Sequence, residues 1–263
     1  MITLQHIKKA FGDKQVLKDI STVFESGKTN LIIGRSGSGK TVLMNCIVGL
    51  LQPDEGEILY DAENVVTMTK YERTLLRRRM GMLFQGSALF DSMTVLENVM
   101  FPLDMFSNDS YKERKRRAMF CLDRVNLGEA ADKLPEELSG GMQKRAAIAR
   151  AISMQPQYLF CDEPNSGLDP KTSLVIDKLI FELTKENNMT TIVNTHDMNS
   201  VMGIGENILF LSEGYKEWQG CNAEIMDSKN QKLNDFIFAS DFSKRLKAAN
   251  EENIELKDGI NNQ

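Results

Sequence analysis

GRSGSGKT, residues 34–41, follows the apolar run Leu31-Ile32-Ile33 and precedes Val42-Leu43, Cys46-Ile47 and Leu50-Leu51, apolar pairs that recur about every four residues. That order reads as a strand, a glycine turn and a helix, the setting of a phosphate-binding P-loop. The glycines let the backbone curl until the N–H groups of Gly34, Arg35, Ser36, Gly37, Ser38 and Gly39 point inward. The following helix adds the positive end of its dipole, so a polyphosphate is held largely by main chain. Lys40 is placed to reach the β- and γ-phosphates, and the Thr41 hydroxyl to ligate Mg²⁺. The plainer alternative is a glycine-rich turn with no ligand, and the placement between strand and helix weighs against it.

The chain has 263 residues, 41% of them apolar, enough for one large domain or two small ones with a stable core. A net charge of −5 and a pI near 5.3 argue against nucleic acid as the main partner. The basic run Lys112 to Arg117 is a local exception and reads as a solvated helix face. No apolar segment reaches the roughly 18 residues of a membrane span, and the N-terminus lacks a charged-then-apolar leader. These features predict a cytoplasmic chain whose membrane role, if any, comes through a partner. Cys46, Cys121, Cys161 and Cys221 are widely spaced and only two histidines occur, so neither disulfides nor structural zinc is expected.

Ahead of the loop, ITLQHIK and VLKDISTVF alternate apolar and polar around Phe11-Gly12-Asp13, predicting antiparallel strands joined by a hairpin turn. Phe11, placed in that turn, can stack on an adenine ring or cover the core. After the loop helix, Pro53 to Gly56 reads as a turn, Glu57 to Tyr60 as a strand, Tyr71 to Arg79 as a polar helix and Met80 to Phe84 as an apolar strand. Gln85 ends that strand, where a neutral amide can accept from a metal-bound water and donate elsewhere. From Gly86 to Pro156 the periods are helical, in Val95 to Met100, Tyr111 to Val125 and Met142 to Ser153, which suggests a helical insertion in an α/β chain. Before the last of these helices stands Leu138-Ser139-Gly140-Gly141-Met142-Gln143. It is either an ordinary N-cap or a second anion site, although one nucleotide needs only one cradle.

Strands resume with Tyr158 to Glu163, an apolar run ending in two acids. Asp162 can hold Mg²⁺ opposite Thr41, and Glu163 can accept a proton from an attacking water or orient it. Ser166 to Pro170 turns into a helix over Lys171 to Glu186, with an apolar stripe of Leu174, Val175, Leu179, Ile180 and Leu183. The strand Thr190 to Asn194 delivers Thr195-His196-Asp197. His196 there is structural, or else it hydrogen-bonds the γ-phosphate or its attacking water. Short strands over Asn207 to Leu211 and Lys216 to Gln219 close the domain. In the tail, Phe238, Phe242 and Leu246 fall four apart as a narrow helical stripe that packs on its own domain or on another subunit, and beyond Ala249 the chain is polar.

Together these pieces resemble the ATP-binding subunits of ABC transporters over residues 2 to 228. GRSGSGKT is similar to their Walker A, Gln85 to their Q-loop, LSGGMQ to their signature motif, YLFCDE to their Walker B, SGLD to their D-loop, His196 to their switch histidine and Phe11 to their adenine-stacking aromatic. The resemblance implies an α/β P-loop NTPase fold with a mixed sheet core, an N-terminal antiparallel β-subdomain and an inserted helical subdomain. An ATP-binding lobe would span 1–85 and 157–228, a signature-motif helical subdomain 86–156, and a C-terminal helical extension 229–263.

It further implies ATP and Mg²⁺ as cofactors, with Glu163, His196 and Gln85 catalytic and Thr41, Gln85 and Asp162 at the metal. In a head-to-tail pair of copies, Ser139, Gly140 and Gly141 of one chain, with Asp169 of the D-loop, would complete the site built on Lys40 of the other, which accounts for the surplus anion site. Gly167, where alanine is common, and Asn165 before it are departures; Asp169 remains, so little effect is expected.

The stretch from Leu83 to Leu103 and the run GGMQKRAAIARA are most similar to ATPases of lipid transporters that work with an MCE-type lipid-binding protein. That narrower likeness implies phospholipid transport by a separate permease, with this chain peripheral on the inner membrane. An importer for another small solute shares much of the pattern. A soluble ABC protein of translation or DNA maintenance would carry tandem cassettes or a coiled-coil insertion, and neither is present.

Overall fold

The computed structural model describes residues 1–238. Strand β1 (Ile2–Phe11) and strand β2 (Lys14–Phe24) form the expected hairpin, but Phe11 is the last strand residue, paired with Lys14, rather than part of the turn. Strand β3 (Thr29–Ile33) leads through the glycine loop into helix α1 (Lys40–Ile47). Strand β4 (Glu55–Tyr60) starts two residues before its predicted position and pairs with β1 and with the short β5 (Glu63–Asn64). Helix α2 (Lys70–Arg77), closed by a Thr69–Glu72 capping box, precedes β6 (Met80–Leu83).

Residues 86–156 contribute helices and turns but no strand: α3 (Val95–Phe106), α4 (Tyr111–Arg124) and α5 (Gly140–Ile152). Strand β7 (Tyr158–Asp162), helix α6 (Pro170–Glu186), strand β8 (Thr190–Thr195) and helix α7 (Met198–Ile204) follow. The described chain ends with β9 (Asn207–Ser212), β10 (Tyr215–Gly220), α8 (Asn222–Ile225) and α9 (Gln231–Ile237).

The ten strands run in the order β5-β4-β1-β2-β10-β9-β3-β8-β7-β6. The β9-β3-β8-β7-β6 part is parallel and the β5-β4-β1-β2 part antiparallel, joined through β10, which makes a mixed α/β sheet. Side-chain alternation splits the core cleanly. Ile32, Phe160, Ile192 and Leu209 face a cluster with α1 and β1, while Leu31, Cys161, Val193 and Ile208 face a second cluster built with α3 to α7. Parallel strands buried on both faces are near-continuously apolar, which is why they were legible as runs. Their C-terminal ends deliver Gly34, Asp162, Glu163 and His196 to one edge of the sheet.

One expectation fails in part. Leu179, Ile180 and Leu183 are buried as expected, but Leu174 and Val175 are 56% and 52% exposed, because the buried face of α6 is completed by Ser173, Ile176, Asp177 and Thr184, three of them polar. Of the two readings left open for the tail, Phe238 follows the first and lies in this chain's own core with Leu233 and Ile237. Phe242 and Leu246 fall outside the described residues.

The segment before α3 hangs on one buried amide. Asn98 Nδ2 donates to the carbonyls of Phe90, Met93 and Thr94 at 3.0–3.1 Å, and its Oδ1 accepts from Phe90 N at 2.8 Å. Asn98→Ala leaves Phe90 N and the Met93 carbonyl without that partner, while the carbonyls of Phe90 and Thr94 keep main-chain bonds from Met93 N and Asn98 N, and it is expected to lower stability by about 2 kcal/mol. Urea denaturation checks it, and a loss under about 0.5 kcal/mol would mean that the loop finds other partners.

Candidate functional site

The glycine loop has the backbone its sequence requires. Gly34 sits at φ 149°, and a Cβ there would come 2.2 Å from the Leu211 carbonyl oxygen and 2.7 Å from Ser38 Oγ. Gly39, at φ 107°, precedes α1, whose N-terminus has no side-chain cap and no acid in its first turn. Its first N–H groups are therefore unclaimed by side chains, as an anion site needs. Lys40 is buried, with Nζ donating to the carbonyls of Gly34 at 2.9 Å and Arg35 at 3.3 Å. Burial lowers its pKa, opposed by the charges of Glu163 and Asp162.

A cleft of about 940 Å³ opens over this loop. Arg35, Ser36, Gly37, Gly39, Lys40 and Thr41 line it, together with Gln85, Glu163 and His196, so one cleft gathers groups spread over 161 positions of sequence. Gly34 and Ser38 are buried beside it. Glu163 and His196 touch: His196 Nδ1 lies 2.9–3.0 Å from the two carboxylate oxygens. Glu163 holds a left-handed backbone, φ 49°, a strained conformation for this residue, which suits a functional turn. Asp162 accepts from Asn194 Nδ2 at 3.0 Å through Oδ1, and no protein donor is bonded to its Oδ2 among the described residues.

Eight expected residues are not in the cleft lining: Gly34, Ser38 and Asp162, which neighbour lining residues in the chain, and Phe11, Ser139, Gly140, Gly141 and Asp169. Phe11 ends β1 half exposed, belongs to neither core cluster, and has Lys9 Nζ 5.6 Å from its ring centroid. Ser139 is the N-cap of α5, its Oγ accepting from Met142 N at 3.3 Å, with Gly140 and Gly141 in the first turn. Asp169 caps α6, and the hydrogen bonds it accepts from the Thr172 hydroxyl and then from Thr172 N hold its pKa below the usual carboxylate range. Within one chain, then, Ser139, Gly140, Gly141 and Asp169 stand apart from Lys40's cleft.

Sequence reasoning missed the side chains that tie these parts together. From α5, buried Lys144 donates to the Gln85 carbonyl, and Arg150 donates to those of Ser87 at 2.9 Å and Ala88 at 2.7 Å. Ser87 and Ala88 both hold left-handed backbones, so Arg150 pins a strained turn. Burial lowers the pKa of both cations. The helix that starts at Ser139 is thereby clamped to the segment that carries Gln85. Two cations, Lys144 and Arg150, on a helix otherwise rich in alanine were the available signal.

A family model described as ABC transporter matches residues 17–166. The methionine import ATP-binding protein MetN of Clostridioides difficile (strain 630) is 39% identical over 214 residues, 81% of this chain and 66% of that protein's length. The intermembrane phospholipid transport system ATP-binding protein MlaF of Haemophilus influenzae (strain ATCC 51907 / DSM 11121 / KW20 / Rd) is 34% identical over 237 residues, 90% of each chain. Among solved structures, the dimeric form of MJ0796, a bacterial ABC transporter cassette, aligns with a TM-score of 0.77 and 36% identity over 84% of this chain and 99% of that one. The same cassette in a post-hydrolysis state with ADP and Pi gives 0.77 and 35% over the same shares.

Proposed function

This chain belongs to the ABC transporter family and is an ATPase subunit of it; we propose that two copies, joined head to tail, drive phospholipid transport by a separate membrane-spanning permease. The observation that carries the reading is the division of parts within one chain. Lys40, Glu163 and His196 share a cleft, while Ser139, Gly140 and Gly141 present a helix N-terminus elsewhere. A second copy supplies what the first lacks.

In this reading the loop N–H groups and Lys40 hold the β- and γ-phosphates, and a phosphate beside Lys40 opposes the burial that lowers its pKa. The Glu163 carboxylate orients the attacking water and takes its proton, and His196, held against it, is placed to bond the γ-phosphate or that water. Phe11 stacks the adenine at the hairpin tip. Thr41, Gln85 and the free oxygen of Asp162 form an all-oxygen donor set that fits Mg²⁺. An Mg²⁺ held there would supply neutralisation of phosphate charge. Residues 86–156 would move as a unit against the lobe of 1–85 and 157–228, carrying Ser139 and, through Lys144 and Arg150, the Gln85 segment together.

The lipid assignment is supported by the MlaF likeness, which extends over 90% of both chains. The MetN likeness favours a second reading, import of another small solute. No helix among the described residues is long and apolar enough to cross a membrane, so the permease would hold the chain at the cytoplasmic face of the inner membrane, together with an MCE-type lipid-binding protein. Phe90, 40% exposed and 4.7 Å from Phe101 between ring centroids, is the anchor available to a permease segment beside the Gln85 turn.

Tagged chain is expected to recover a permease with bound phospholipid from detergent-solubilised membranes. Phe90→Ala should weaken that association by about 30-fold, equivalent to roughly 2 kcal/mol, with thermal unfolding of the isolated chain as the folding control. A permease carrying a hydrophilic solute would sink the lipid assignment, and recovery of no membrane protein would sink the transport reading.

A further inference from the structure

Beneath the Glu163–His196 pair lies a polar cluster that none of the roles above uses. Asn165, Asp177 and Ser200 are 8%, 3% and 0% exposed. Asn165 Nδ2 donates to Asp177 Oδ1 at 2.8 Å and to Ser200 Oγ at 3.0 Å, and Ser200 Oγ donates to Asp177 Oδ2 at 2.8 Å. No cation pairs with Asp177 among the described residues. Burial raises its pKa, opposed by the hydrogen bonds from Ser200 and Asn165. A carboxylate buried on helix α6 without a counter-charge is costly, and apolar side chains of similar size would fill that face at less cost to stability. The fold alone gives no reason for it.

The three residues come from three segments, and two of those segments carry the reacting pair. Asn165 lies two residues after Glu163, in a turn closed by Ser166 N donating to the Glu163 carbonyl at 3.1 Å. Ser200 lies four residues after His196, on α7, which Asp197 caps. Asp177 bridges them from α6, the helix that begins at Asp169. The bonds at 2.8–3.0 Å therefore fix the distance between the main-chain segments bearing Glu163 and His196, and they do so below a Glu163 held at a strained φ of 49°.

We propose that Asn165, Asp177 and Ser200 are positioning residues, a buried latch that keeps Glu163 and His196 in their reactive arrangement and ties the turn leading to Asp169 to the helix behind His196. The inference rests on the ATPase reading. It also gives Asn165, whose departure from the family pattern was expected to matter little, a defined task.

The test uses the full chain with Ser200→Ala, Asp177→Asn and the double variant. Thr184→Val serves as control, because Thr184 lies two turns along the same buried face of α6 and bonds the Ile180 carbonyl and Thr191 Oγ1, both at 2.7 Å. ATP turnover, KM, binding of a fluorescent ATP analogue and thermal unfolding are measured for each. Both single variants are expected to lose about tenfold in kcat with KM and binding within about twofold, since misplaced catalytic groups cost rate rather than affinity. The double variant should lose little more than the worse single one. Ser200→Thr should restore the rate, and Thr184→Val should lower Tm without lowering kcat.

Rates within about twofold of the parent in both single variants would overturn the latch, as would a fall in kcat that merely follows Tm across all variants, Thr184→Val included. A parent chain that binds ATP but never hydrolyses it would sink the ATPase reading itself and the latch with it.

Discussion

Glu163→Gln is expected to bind ATP as tightly as the parent and to hydrolyse it at least about 100-fold more slowly. The substitution keeps the volume and one oxygen of the side chain, so the cradle formed by the loop N–H groups, Lys40 and Thr41 is undisturbed. What it removes is the carboxylate proposed as the proton acceptor. A positioned general base contributes about 10²–10⁴-fold, and no other carboxylate lines this cleft except Glu213, which lies on the β9–β10 turn. His196 would keep a hydrogen-bond partner in the amide oxygen, so its loss of orientation is a smaller effect. Phosphate release and equilibrium ATP binding, measured on the same preparation, separate the two quantities. A rate near the parent's would show that the base lies elsewhere. Weaker binding with unchanged turnover would assign Glu163 to the cradle.

The parts of this site that could be read from sequence are those in which local backbone chemistry does the work. Gly34 and Gly39 are required by φ and by close approach, and a Gly-rich turn between an apolar run and a helical period announces both. Asp162, Glu163 and His196 end strands whose burial on both faces makes them continuous apolar runs, so their position at the sheet edge followed from pattern alone. What stayed hidden depends on pairing between distant segments. Lys144 meets the Gln85 carbonyl across 59 residues, and Ser200 meets Asn165 across 35. Neither pair has a periodic signature. The error on α6 has the same origin: with Ser173, Asp177 and Thr184 on the buried face, counting apolar residues points to Leu174 and Val175, which the helix turns outward. A polar residue at a core position was the trace of the latch, and it was visible only as a gap in the stripe.

Ser139→Arg and Lys40→Ala are each expected to reduce hydrolysis by at least about 100-fold when assayed alone, for different reasons. Lys40→Ala removes the ammonium from the phosphate cleft and should weaken ATP binding directly. Ser139 is an exposed N-cap whose hydroxyl accepts a 3.3 Å bond from Met142 N, so losing it costs the fold only about 1 kcal/mol. The inserted arginine instead obstructs a helix N-terminus that the head-to-tail reading places against the other chain's γ-phosphate. ATP binding to the open monomer should then survive in Ser139→Arg. Mixing the two inactive variants discriminates further. In a mixed pair, one site combines the intact Lys40 of the Ser139→Arg chain with the intact Ser139 of the Lys40→Ala chain, while the other site carries both defects. Half the pairs in an equal mixture are mixed, each with one of two sites rebuilt, so about a quarter of the parental rate should return. That recovered rate should also climb more steeply than linearly with concentration where pairing is limiting. If Lys40 and Ser139 instead served the same chain's site, no mixture could outperform its components, and the head-to-tail arrangement would be wrong.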